Sequence, residues 1–254
     1  MARTPDGPPP PPTVQRVRVH YAKRGRLRFS SHRDFQRAWE RALRRADVPV
    51  AYSAGFTPHP KVSYAGAAPT GAASEAEYFE IGLAAPCDPE RLRLALDESL
   101  PPGLDVLEVV EASGVGLADR LEASRWVIAL PGVEPSTAEA AARTFLAADS
   151  VEVSRMTKSG LRTFDARAAV LRLSASPIVP SDVRPGAVST ADQAPCAILD
   201  VVVRHVTPAV RPDDVLTGLR AVADLVPPMP VLMTRLAQGP LDPQTGDVGD
   251  PLSA

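Results

Sequence analysis

The chain has 254 residues, 44% hydrophobic and 23% charged, with a net charge of −2, and its length allows one large buried core or two smaller ones. The near-neutral total hides an asymmetry: from Arg16 to Arg45 eleven Lys and Arg face only Asp34 and Glu40, leaving +9, whereas 17 cations against 28 acids leave −11 elsewhere. No stretch reaches the ~20 consecutive apolar residues of a membrane span and the N-terminus lacks a signal-peptide core, so a cytoplasmic protein with no membrane association is expected.

Residues 1–13, with the run Pro8 to Pro12, hold too little apolar surface to fold and read as a disordered, polyproline-like arm. Arg16 to Tyr21 alternates charged and apolar residues, as a half-buried strand does. Ser31 is the expected N-cap of a helix, with Asp34 at the capping-box position; Phe35, Trp39, Ala42, Leu43 and Ala46 form its buried stripe, and it should run to about Ala46. Short strands are expected near Val50 to Tyr52, Lys61 to Tyr64 and Glu77 to Leu83, then a helix from Asp88 to Ser99 and a strand from Asp105 to Val110. This β-α-β-β-α-β order over residues 14–111 is the ferredoxin-like arrangement.

Residues 112–124, with Ser113, Gly114 and Gly116, read as a linker. Beyond it the order recurs over 125–237: strand Trp126 to Leu130, helix Pro135 to Ala148, strands Val151 to Met156, Thr163 to Leu173 and Ala197 to Arg204, helix Pro212 to Ala223, strand Val231 to Leu236. The extra strand loosens the match, and the proline-rich stretch 174–195 reads as an inserted loop. Residues 238–254 lack periodicity and should be loosely ordered. The fold class is therefore α+β, two ferredoxin-like domains in tandem, the second looser and with an inserted loop.

Clustered arginine is the footprint of a polyanion partner, most often nucleic acid. Arg33, Arg37, Arg41, Arg44 and Arg45 fall opposite the buried stripe of the first helix. Like charges at i, i+4 weaken a helix by roughly 0.2–0.5 kcal/mol per pair, so this ridge calls for acidic partners or an external anion. Only Glu40 and Asp47 are local, and a solvated charged face is the bland alternative. Before the helix, Arg26 and Arg28 share a strand face if Leu27 and Phe29 point inward. Backbone N–H groups at the helix start, with Ser30, Ser31 and His32, could hold a phosphate, or Ser31 could simply cap the helix.

A second constellation runs from Gly55 to Ser63. Pro58 and Pro60 flank His59 and stiffen the loop, which presents Phe56, His59 and Lys61 for stacking on a base while pairing with phosphate. Glu75 and Glu77 are candidate salt-bridge partners for the arginines or cation ligands, and Lys158 sits in a basic turn that could extend the anion surface. Cys87 and Cys196 are too far apart for a C-x-x-C site and read as buried reduced thiols. His20, His32, His59 and His205 show no metal-binding spacing, so neither metal nor cofactor is expected.

Leu27 to Asp34, Gly55 to Lys61 and Ser74 to Tyr78, in this order, resemble the bacterial radical SAM-linked protein family, a domain of unknown function found alone or fused to radical SAM proteins. The resemblance spans roughly Val14 to Leu236. It implies partnership with a radical SAM enzyme and, more loosely, an RNA-related role. The chain lacks the C-x-x-x-C-x-x-C run that holds a radical SAM cluster, so that chemistry is expected on another chain. The leading expectation is a non-catalytic accessory protein that binds RNA. The alternatives are an RNA-processing or RNA-modifying enzyme using His32 or His59 as general acid or base, with Lys61 or Arg28 stabilising charge, and a protein-docking module without nucleic acid.

Overall fold

A computed structural model of the chain describes residues 10–54, 56–157, 160–179 and 195–253, the side chain of His32 excepted. Residues 1–9 of the proline-rich arm, Lys158 of the basic turn and residues 180–194 of the inserted loop lie outside the described residues. The protein is α+β and divides into two units, residues 1–120 with 252–254, and residues 121–251.

The first unit contains β1 (Gln15–Lys23), α1 (His32–Arg45), β2 (Val62–Ala65), β3 (Ala73–Leu83), α2 (Pro89–Ser99) and β4 (Leu104–Glu111). Its strands lie in the order β4-β1-β3-β2, every neighbour antiparallel, with Val19 between Phe79 and Val109 and Tyr64 opposite Phe79. Strand alternation puts Val17, Val19 and Tyr21 on one face, where they meet Phe35, Trp39, Ala42 and Leu43 of α1 and Leu92 and Leu96 of α2. The centre of that core is aromatic: Trp39 stands edge-on to Phe79 at 4.6 Å, and Tyr21 stacks on Phe35 at 5.2 Å.

Helix α1 starts as the sequence predicts, with the Ser31 hydroxyl oxygen accepting from Asp34 N at 3.2 Å. The chain leaves it through Asp47, just past the helix, whose φ of 50° lies in the left-handed region. There Asp47 N donates to Arg44 O and Val48 N to Leu43 O, while Val48 packs on the core. That is a Schellman closure with its hydrophobic contact, which glycine usually serves. Asp88 caps α2 by accepting from Arg91 N at 2.8 Å, with Pro89 in the first turn.

The second unit contains β5 (Ala123–Pro131), α3 (Pro135–Ala147), β6 (Glu152–Thr157), β7 (Gly160–Asp165), β8 (Val170–Ser176), β9 (Cys196–Arg204), α4 (Pro212–Ala223) and β10 (Leu232–Gly239). Its main strands lie in the order β10-β5-β9-β8, all antiparallel, and β6 pairs with β7 in a separate hairpin. Helices α3 and α4 touch closely: a Cβ on Gly218 would lie 2.7 Å from the Phe145 ring and 2.9 Å from a Val151 methyl. A hydrogen at that position is what the packing permits.

Several expectations need correction. The strand expected over Thr163 to Leu173 is two strands, separated by a 3-10 turn at Arg167–Ala169. Asp165 makes the break, because its carboxylate accepts from Val151 N at 2.9 Å and Arg167 N at 2.8 Å and so caps the turn. Val50 to Tyr52 forms only isolated bridges, Val50 to Leu83 and Tyr52 to Pro60. Cys87 and Cys196 are free but half-buried rather than buried. In the expected tail, Gln238 and Gly239 belong to β10, and a turn follows in which Gly246 N donates to Asp242 O and Gly249 N to Pro240 O.

Candidate nucleic-acid interface

The basic segment is partly neutralised within its own unit. Arg16 and Arg18 pair with Glu80 at 3.6 and 3.4 Å, and Arg18 is buried. Arg24 grips Glu75 through both ends of its guanidinium fork and also reaches Asp105; its hydrogen bond to Glu75 leads the interactions that raise its pKa. Glu75 therefore takes the salt-bridge role considered for it. Glu77 is instead buried, with its carboxylate accepting from Ala68 N at 3.2 Å.

What remains unmatched lies mainly on α1. Arg33, Arg37 and Arg41 are exposed and have neither ion pair nor hydrogen bond among the described residues, and Arg26 shares that state. With Phe35, Trp39, Ala42 and Leu43 facing the core, the 100° step per residue places Arg37 and Arg44 outermost, with Arg33 and Arg41 to either side of them on the outer face. The same step puts Arg45 on the α2 side, where it donates to Ser99 O at 3.2 Å. Gln36, Glu40 and Asp47 fall on the opposite flank. Arg44 makes a long 3.8 Å contact with Glu40, both side chains being well exposed, a pair of little energetic weight.

Gly25–Phe29 is a 3-10 helix, not a strand, so Arg26 and Arg28 do not share a strand face. Gly25, at φ 54°, turns the chain out of β1. Leu27 packs against the core, while Phe29 is 60% exposed with the Arg28 guanidinium 4.7 Å above its ring. The Arg28 Nε is buried without a hydrogen-bond partner among the described residues. Ser30 opens instead onto a cavity of about 240 Å3 that it shares with Tyr21, Lys23, Phe35, Thr70 and Glu77. Buried Lys23 donates there to Ala68 O at 3.3 Å. Lys23 and Glu77 thus grip the loop before β3 from both sides. His32 is the first residue of α1, and its side chain lies outside the described residues.

The stiff loop is fastened at its base. Ala51 N donates to Gly82 O, Lys61 N to Ala51 O and Gly82 N to Lys61 O. Farther out, Ser53 N donates to His59 O at 2.8 Å and His59 N to the Ser53 hydroxyl at 3.0 Å. Phe56, 69% exposed, stands at the tip. Exposed Lys61 donates to the Thr13 hydroxyl at 3.1 Å.

His59 turns towards the acidic flank of α1. With Pro60 and Tyr52 it walls a cavity of about 410 Å3 whose other side is Glu40, Leu43, Arg44 and Asp47. A second cavity of about 250 Å3, between Gln36, Glu40, His59 and Tyr64, adjoins it. Burial, with the Glu40 charge beside it, pushes the Tyr64 hydroxyl well above its ordinary pKa. The structure therefore brings Arg44 and His59 together, leaves Arg33, Arg37 and Arg41 on the outer face, and adds Glu40, Asp47 and Tyr52, which sequence reasoning did not assign to the site. The signal for the acids was their helical spacing with Gln36 and Leu43, a flank distinct from the arginine ridge. No group of three or more His, Cys, Asp or Glu that could hold a metal ion occurs among the described residues.

These features define an α+β protein of two units, one of which carries a helix whose Arg33, Arg37 and Arg41 have neither ion pair nor hydrogen bond among the described residues. The chain belongs to a family of uncharacterized proteins conserved in bacteria (DUF2344), whose model matches residues 16–212, from β1 to the first residue of α4. No curated protein matches it.

Proposed function

We propose that the chain is a non-catalytic accessory protein that binds structured RNA through the outer face of α1 and the His59 loop, and that it works with a radical SAM enzyme in RNA modification or processing in the cytoplasm. In this reading both units are ferredoxin-like βαββαβ folds in tandem. The strand order β4-β1-β3-β2 supports this for the first unit. The order β10-β5-β9-β8, with the β6–β7 hairpin as an insertion, supports it for the second. The radical SAM partner rests on the three sequence motifs named above.

The observation that carries RNA binding is the set of exposed arginines, Arg33, Arg37 and Arg41, that no acid of the described residues neutralises. Such groups release counterions when they meet phosphates, so affinity falls with salt. The test is crosslinking and sequencing of RNA bound in the native cell, followed by titration of the recovered RNA at several salt concentrations. Reversing both Arg37→Glu and Arg41→Glu should weaken binding across sequences and flatten the salt slope by about 2, near 0.9 for each duplex phosphate that is no longer neutralised. An unchanged affinity in the double variant overturns the proposed surface. No RNA above background overturns the reading as a whole.

A further inference from the structure

The cleft between α1 and the His59 loop contains acids where an anion-binding surface should avoid them. Glu40 and Asp47 are exposed and line the 410 Å3 cavity, a size in the range of small-molecule sites, about 300–1,000 Å3. Next to a phosphate they would repel it. Their place in the cleft is favourable only if the ligand turns hydrogen-bond donors towards them.

Among the common bases guanine meets that condition best. Its Watson–Crick edge carries N1–H and N2–H side by side, which match the two oxygens of one carboxylate. Adenine, cytosine and uracil offer no two adjacent donors on that edge: adenine has one donor beside one acceptor, cytosine one donor beside two acceptors, and uracil one donor between two acceptors. Unpaired bases are read on this edge and stacked on aromatic rings, and the cleft offers the rings of His59 and Tyr52. Arg44, at the same rim, supplies a cation for phosphate. Because the loop is fastened at its base and pinched between Ser53 and His59, the cleft is shaped before a ligand arrives, which lowers the ordering cost of binding.

We propose that this cleft binds one unstacked guanine nucleotide, with Glu40 and Asp47 accepting from the base edge, His59 and Tyr52 stacking on its face, and Arg44 pairing with its phosphate. That the nucleotide belongs to RNA rests on the reading given under Proposed function; the base preference does not.

The test is calorimetric titration of the full chain with GMP, AMP, CMP and UMP. GMP should bind at least about tenfold tighter than the others, about 1.4 kcal/mol. Glu40→Gln or Asp47→Asn should remove most of that preference while AMP affinity stays within about twofold, as expected when one bidentate base pairing is removed. Both acids are exposed, and unchanged melting temperatures confirm that the variants fold. Arg37→Glu with Arg41→Glu, on the outer face, should leave GMP affinity within about twofold while weakening RNA, so the two readings fail separately. Equal binding of all four nucleotides, no binding up to about 10 mM, or a guanine preference that survives both acid variants overturns the site.

Discussion

Helices α1 and α3 occupy the same place in their units, each following the first strand, yet their outer faces differ in charge. Helix α1 buries Phe35, Trp39, Ala42 and Leu43; α3 buries Ala138, Ala141, Ala142 and Phe145. The sequence of α1 holds Arg33, Arg37, Arg41, Arg44 and Arg45, while α3 has only Arg143, paired with Glu139 at 2.8 Å. Packing a helix on a sheet of this strand order therefore does not require the arginines. They are an addition to α1 that mutual repulsion makes mildly unfavourable. The segments after the two helices differ in the same way: one walls the cleft with His59, the other forms the β6–β7 hairpin.

The largest expected effect tests the shared half of this comparison. Trp39 and Phe145 are each fully buried, and Trp39→Ala and Phe145→Ala should each cost about 3–5 kcal/mol in urea denaturation. A loss below about 1 kcal/mol at either position would show that the two helices do not anchor their units alike.

Asp165 has no counterpart after α1, and it sharpens the contrast between the two segments. Burial raises its pKa, but the N–H groups of Val151, Arg167 and Ala168 outweigh burial and hold it below the ordinary 3.8. A depressed carboxylate stabilises the fold above its ordinary pKa, and that contribution is lost as the pH falls through the folded value. Asp165→Asn should cost about 1–2 kcal/mol at neutral pH, and its deficit against the native chain should shrink as the pH drops below about 4. A deficit that is constant with pH would rule out the carboxylate's charge as its source.

The smallest effect is the most specific to the charge difference. Replacing Arg37 and Arg41 by Glu turns repulsive spacings with Arg33 and Arg45 into attractive ones and should raise stability by several tenths of a kcal/mol. Arg143→Glu in α3 removes an attraction and adds a repulsion, so it should lower stability by about 0.5 kcal/mol. Thermal melts of the two variants moving in the same direction would break the argument that the α1 arginines are there for a ligand.

Most elements were legible because their signals are local. Ser31 and Asp34 mark one helix start, Asp88 and Pro89 another, and the apolar spacing of α1 and α4 follows the helical period. The misses have physical causes. Asp165 sits within a run of strand-forming residues, and its capping bonds, which split the run, involve Val151 fourteen residues earlier. Gly25 permits a turn but does not specify the 3-10 helix that rotates Arg26 away from Arg28. At the site, the arginine ridge could be read from its spacing. The cleft could not, since it exists only when the segment after α1 pairs with Gly82 on β3 and brings His59 back to Glu40.

That fastening separates two properties that usually vary together. The bonds between Ala51, Lys61 and Gly82 and the Ser53–His59 pinch hold the loop at its base and make no use of Phe56, so that side chain can change without unseating the walls. Phe56 can thus be replaced without loosening that frame, and amide exchange should register the boundary: slow at Ala51 and Lys61, fast at Phe56.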